Sequence, residues 1–445
     1  MNSSRVNLIA IILLAIVLIP SFYIFFRFKP LSSQQHLAIS ILSEHAIPFQ
    51  TPNDLNPLID KSSNAKFVLL GESSHGNSEY YYWRSQITQK LISQGFSFIA
   101  VEGDWAAIYQ LNQYIKGLSS SQLDARKIMS QFSRWPTWMW ANKEFLDLVE
   151  WLRDYNQNLS YDQKVGLYGK DLYGASHSMK SVINYYSANY PDILVDIESA
   201  YSCLLTYQED YNRYLSDLYS KSKSCESEVS WVYNHLKQNP SPNQKDHFNA
   251  QLNALVVKNA ELHYRRSLSP GSDSWNYRAL HMKDTINRLT DFYGPGSRGI
   301  IWAHNTHIGD ARATQMIDQG SINLGQLLRQ KYSQSQVYAI GFAAYAGQLI
   351  SAISWGDTPQ IIDIPPAVPD SYEALLAQID YPQFLLFFDQ DQVNQSLLPS
   401  RGHRAKGVVY NPYNESQNYI LSSLPDRYDA LIYFKQVSPL TPLIN

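Results

Sequence analysis

Phe67-Val68-Leu69-Leu70-Gly71-Glu72-Ser73-Ser74-His75-Gly76 is a run of four apolar residues leading into a turn that carries a carboxylate and an imidazole. A short apolar run closed by glycine predicts a buried strand, and Asn77 followed by Ser78 to Gln94 predicts the helix after it. Glu72 and His75 therefore leave a strand at its carboxyl end. In open α/β sheets that edge is where ligands bind, because its loops vary while the sheet fixes their positions.

Downstream, the predicted helix stops at Gly95, and Ser97-Phe98-Ile99-Ala100-Val101 predicts a second strand, closed by Glu102-Gly103-Asp104-Trp105. Strand, helix, strand is a βαβ unit whose crossover makes the two strands parallel, so Glu102 emerges at the same edge as His75. Lys164 to Gly169 is a third strand, running into Lys170-Asp171. From about 176 to 292 the apolar spacing turns helical, broken at Asn239-Pro240-Ser241-Pro242-Asn243, which predicts four or five inserted helices acting as a cap or as scaffold. Strand patterns return at Arg298 to Ala303, leading into His304-Asn305-Thr306-His307, and at Gln336 to Phe342. They recur at Phe384 to Phe388, Lys406 to Tyr410 and Tyr428 to Phe434. The expected fold is α/β, with a largely parallel central sheet, flanking helices and an inserted helical cap, in one domain over 30–445.

Upstream, Leu8 to Phe26 carries no charge and is flanked by Arg5, Arg27 and Lys29. That length predicts a single membrane-crossing helix within residues 1–29, and no small-x-small exit marks a cleavage site. Basic residues on both sides nearly cancel the orientation signal, and an exported catalytic domain on an N-terminal anchor is the expectation. With a net charge of −3 and no basic stretch, nucleic acid is excluded as a partner. Cys203 and Cys225 lack the spacing of a zinc or redox motif, so a cysteine-ligated metal is excluded too. They are a disulfide in an oxidising compartment or two ordinary thiols.

Three strand ends thus carry ionisable side chains: Glu72 with His75, Glu102, and His304 with His307. Arg84, on the helix after His75, is placed to pair with a carboxylate or to bind an oxyanion. Asp171, at a fourth strand end, is a candidate for substrate contact. Gly71-Glu72-Ser73-Ser74-His75 is not a nucleophile elbow, since His75 stands where a GxSxG turn needs its second glycine. The simpler chemistry is a histidine, held in its tautomer by a carboxylate, that takes a proton from water attacking an ester or lactone carbon. Such a base contributes roughly 10²–10⁴-fold, so oxyanion stabilisers must supply the rest, and Arg84 with His304 or His307 are the candidates. No cofactor is called for. Two rivals use the same residues: a metal-dependent hydrolase or peptidase, although HxxH lacks the four-residue spacing of HExxH, and a cell-envelope protein that holds a glycan without catalysis.

The chain resembles the erythromycin esterase family. The resemblance runs from about Phe67 to Leu443. It rests on Gly71-Glu72-Ser73-Ser74-His75-Gly76, Val101-Glu102-Gly103-Asp104-Trp105, Trp135-Pro136-Thr137-Trp138-Met139-Trp140, Tyr168-Gly169-Lys170-Asp171-Leu172-Tyr173, Ser274-Trp275-Asn276-Tyr277-Arg278 with His281-Met282, and Trp302-Ala303-His304-Asn305-Thr306-His307-Ile308-Gly309-Asp310. It implies hydrolytic opening of a macrolide lactone without a covalent serine intermediate. His75 is then the general base, Glu72 and Glu102 the active-site carboxylates, Arg84 the family arginine, and His304 and His307 the second histidine pair. The span Leu8 to Phe26 sets the chain apart from the soluble resistance enzymes, and its likeness, including Arg404-Ala405-Lys406-Gly407-Val408-Val409-Tyr410 near the end, is to a broader branch of the family.

Overall fold

Phe67–Leu70 is a strand buried at every position, as a run with no polar face requires. Its alternate side chains feed two separate cores: Phe67 and Leu69 pack on one face of the sheet, Val68 and Leu70 on the other. The computed structural model describes residues 32–118, 123–207, 210–221 and 223–443. Its strands are β1 (Ile47–Pro48), β2 (Phe67–Leu70), β3 (Phe98–Asp104), β4 (Gly166–Asp171), β5 (Gly299–Trp302), β6 (Val337–Ser351), β7 (Gln360–Ile364), β8 (Gln383–Phe387), β9 (Arg401–Arg404), β10 (Tyr419–Ser422) and β11 (Ala430–Val437).

The main sheet runs β1-β8-β11-β6-β2-β5-β3-β4, with β7 paired to β6 off that path. From β11 to β4 every neighbouring pair is parallel, while β8 is antiparallel to β11 and β1 to β8. The mixed α/β sheet agrees with the expectation, and β2 and β3 are parallel as the βαβ reading requires. They are not adjacent, however. β5 returns from far along the chain to lie between them, which sets His304 between His75 and Glu102. Gly71 permits that return: a Cβ there would overlap the side chain of Asn305, whose amide donates to the Phe342 carbonyl at 2.7 Å and ties the ends of β2, β5 and β6 together.

Two strand expectations shift. Lys406 to Tyr410 forms no strand; Lys406 bridges Ser74 and Val409 bridges Ala352 singly, and the local ladder is instead the antiparallel pair β9–β10. β6, 15 residues long in all, continues well past Phe342 to Ser351 and turns back into β7, so a hairpin projects beyond the sheet.

Among its described residues the inserted block contains six α-helices, at Ala175–Asn189, Leu194–Leu205, Tyr211–Lys221, Glu226–Gln238, Gln244–Arg266 and Asp273–Tyr293. It is more than a lid. The helix Asp273–Tyr293 lies along the sheet, with Met282, Ile286 and Leu289 in the same core as Phe67 and Phe98, and Tyr293 stacks on Phe98 with ring centroids 5.4 Å apart. The block is therefore one of the two layers that flank the sheet. Cys203 and Cys225 are disulfide-bonded across two of its helices. At the opposite edge the helix Ser33–His45 packs on β8 and on the helix Asp391–Ser396. The predicted membrane span falls outside the described residues, and among those described no helix is long and apolar enough to cross a membrane.

Candidate active site

The carboxyl ends of β2, β5, β3 and β4 stand side by side, and their ionisable residues meet at a cavity of about 840 Å³. His75 is on its wall. Nδ1 of His75 is 2.9 Å from Glu72 Oε1, and among the described residues no group hydrogen-bonds its Nε2. Burial works against the charged ring, but the Glu72 carboxylate beside it, with Glu102 further off, outweighs that and holds the His75 pKa above its ordinary value.

Glu72 and Arg84 are fully buried and do not line the cavity. Arg84 Nη2 donates to Glu72 Oε2 at 2.7 Å, and the guanidinium lies 4.4 Å from the Tyr81 ring and 4.5 Å from the Trp302 ring. Of the two uses expected of Arg84, the structure therefore shows the carboxylate pair. Substrate contact is closed to it, because the aromatic rings hold it behind Glu72. Arg84, Glu72 and His75 form a relay from the core to the cavity.

Glu102 faces His75 from β3. Its Oε2 accepts the His304 backbone N–H at 2.8 Å, and its Oε1 lies 2.7 Å from Arg278 Nη2 and 3.2 Å from His307 Nε2. Burial alone would raise the Glu102 pKa, yet His307 and Arg278 hold its carboxyl well below the usual range. Arg278 also grips Asp171, with Nε to Oδ1 at 2.9 Å and Nη2 to Oδ2 at 2.6 Å. Against burial, that grip brings Asp171 down to about 2. The sequence offers no local sign of Arg278, since 176 positions separate it from Glu102. Its only trace is its place in Ser274-Trp275-Asn276-Tyr277-Arg278, in the first turns of a helix that proves to pack on the sheet. Lys170, fully buried beneath this cluster, is lowered to about 8 chiefly by burial.

Both members of the second histidine pair have lowered pKa values. His304 Nδ1 accepts the Thr306 backbone N–H and lies 2.8 Å from the Thr306 hydroxyl, which assigns its proton to Nε2. Burial, with His75 nearby, drives the His304 pKa well below its ordinary value, and the two rings are 5.0 Å apart. His307 is lowered by burial as well, and Trp275 stacks on it at 4.5 Å. Its Nε2 lies 3.1 Å from Arg278 Nη1, so it either accepts from Arg278 or donates to Glu102. Among the described residues, no group of three or more His, Cys, Asp or Glu side chains converges in metal-binding geometry.

The family model for erythromycin esterase matches residues 92–437. The chain belongs to the erythromycin esterase family. The match takes in Glu102, Asp171, Arg278, His304 and His307 and begins beyond Glu72, His75 and Arg84, which join this erythromycin esterase fold through the contacts just described. Three solved structures share the fold. A protein described as a succinoglycan biosynthesis protein is 22% identical with a TM-score of 0.75, covering 93% of this chain and 100% of its own. A Bacillus cereus protein is likewise 22% identical with a TM-score of 0.77 over the same shares. A mutant of the erythromycin esterase EreC, in its open conformation, is 15% identical with a TM-score of 0.65, covering 87% of this chain and 95% of its own. At these identities the likeness speaks for the fold.

Proposed function

We propose that the protein hydrolyses an ester or lactone with water activated by His75. The observation that carries this reading is the relay itself: a buried arginine fixes Glu72, Glu72 fixes His75 through Nδ1, and His75 reaches the cavity wall with Nε2 unengaged by any described residue. Nε2 takes a proton from water as the water oxygen bonds to the carbonyl carbon. The Nε2–H of His304, which lies near the Ser73 carbonyl without a full hydrogen bond to a described residue, donates to the oxyanion, and Arg278 adds positive charge on the same wall. When the carbon–oxygen ester bond breaks, the imidazolium of His75 returns the proton to the departing alkoxide, leaving an acid and an alcohol. Glu72 and Arg84 act as positioning residues; Glu102 and Asp171 hold Arg278 and the histidines in place. Family membership supports a macrolide lactone as one substrate of this chemistry. Leu8 to Phe26 anchors the chain in a membrane, and the Cys203–Cys225 disulfide accords with a catalytic domain on the exported side.

The test is mass spectrometry of macrolides, simple lactones and esters after incubation with the full chain, wild type and His75→Ala, each with and without a chelator. Gain of one water with the wild type alone, unaffected by chelator, is the expected result. Equal turnover by His75→Ala sinks the proposal, and loss restored by one divalent ion turns it towards metal-activated water.

A further inference from the structure

The cavity has two halves of different chemistry. One part of its lining is charged and histidine-rich, with Glu102, Asp171, Arg278, His304 and His307, and another carries the indole of Trp355 with neutral amides. Trp355 sits on the tip of the β6–β7 hairpin, lines the cavity and is 66% exposed. It meets Trp135 at a tilt of 56°, with ring centroids 4.6 Å apart, and the Trp135 indole donates to the Asp357 carbonyl at 3.0 Å, so the hairpin tip is tethered while much of the Trp355 indole stays open. The same cavity is lined by Gln319, Gln417 and Asn418. The two glutamine side chains are exposed and engaged in no hydrogen bond among the described residues, and the Asn418 amide is held by its NH₂ group on the Asn414 carbonyl, which leaves its oxygen to accept.

An exposed indole in one cavity with free carboxamides is a chemistry for sugar rings. The C–H groups on one face of a pyranose carry partial positive charge and meet the negative face of the indole, while its hydroxyls need neutral groups that both donate and accept. A purely apolar ligand would leave those amides unpaired, and an anion would meet cavity arginines that are already paired, Arg134 with Asp104 at 2.6 Å and Arg278 with Asp171 at 2.6 Å. At about 840 Å³ the cavity is near the upper end of small-ligand sites and holds more than the reacting ester alone.

We propose that the part of the lining formed by Trp355, Gln319, Gln417 and Asn418 is a saccharide subsite, and that the ester opened at His75 is carried on a sugar. This rests on the hydrolase reading for its second half only. Trp355 is a specificity-determining residue: the sugar lies against its open indole surface while the acyl carbon reaches His75.

The full chain, Trp355→Ala and Trp355→Phe are assayed on an O-acetylated xylo-oligosaccharide and on p-nitrophenyl acetate, and tryptophan fluorescence is titrated with the deacetylated xylo-oligosaccharide. In Trp355→Ala the ratio of kcat/KM for the saccharide ester to that for the small ester falls about tenfold, chiefly through KM, and Trp355→Phe recovers most of it. The deacetylated sugar quenches fluorescence in the wild type and in His75→Ala but not in Trp355→Ala. An unchanged ratio in Trp355→Ala, or no quenching by the sugar, overturns the subsite. Trp355-dependent quenching with neither ester hydrolysed keeps the subsite and overturns the hydrolase reading, making the protein a glycan binder.

Discussion

Replacing Arg84 by methionine keeps much of the volume between Tyr81 and Trp302 and removes the charge. Arg84 and Glu72 are both wholly buried and 2.7 Å apart, so the substitution strands a carboxylate in the core with only His75 for company. Removing one partner of a buried pair costs about 3–5 kcal/mol, because the remaining charge is left uncompensated. Unfolding entropy of about 2.1 cal/mol/K per residue over 445 residues gives about 0.9 kcal/mol/K, so Tm falls about 3–5 °C. Adding Glu72→Gln to Arg84→Met removes the stranded charge and recovers most of that loss, which a double-mutant cycle reads as a coupling of about 2 kcal/mol or more. Calorimetry of the wild type, both single variants and the double variant supplies the four values. A Tm for Arg84→Met within about 1 °C of the wild type, or a double variant no more stable than the single, refutes the view that this pair anchors the relay.

The other predictions concern pH, the arginine bridge and the disulfide. Only neutral His75 takes a proton, so kcat/KM should fall about tenfold per unit as pH drops below its raised pKa; a flat profile there refutes His75 as the base. Stability runs the other way: the attraction between His75 and Glu72 is fully present below the unfolded histidine value of about 6.5 and is lost as pH rises through the folded one, which pH-dependent denaturation would show. Arg278→Gln should lower kcat by roughly 10² or more and let Asp171 titrate above its present value of about 2, read from the acid limb of the rate profile and from carboxylate NMR. Converting Cys203 and Cys225 together to serine should cost about 3 kcal/mol from a separation of 22 residues, visible as a lower denaturation midpoint with hydrolysis retained.

The parts of this molecule that local chemistry determines were readable from the chain. Phe67 to Leu70 is too apolar for anything but a doubly covered strand, and Glu72 and His75 are three residues apart, so their meeting needed only the turn. His304 and Glu102 were readable as strand ends but not as neighbours, because β5 comes between β2 and β3 after a detour through the whole helical block. Arg84 was placed on the right helix, yet helical spacing could not say that Tyr81 and Trp302 would enclose its guanidinium. Arg278 was invisible as a site residue, since its partners come from β3 and β4 and from the turn after β5, distant in sequence. The β9–β10 pair escaped for a different reason: Arg401-Gly402-His403-Arg404 is polar because Arg404 and His403 satisfy Glu415 and Glu373 inside the protein, so it lacks the apolar pattern of a strand.

The helix Ser33–His45 has a protective consequence. β1 runs in the same direction as β6 and pairs with Phe384 and Leu385 of β8, while the helix packs on β8 and on the helix Asp391–Ser396. A strand at the border of a sheet is otherwise a template for pairing with another chain, and a helix laid over it removes that template. The segment ahead of the first core strand thus guards the open side of the sheet against a second copy.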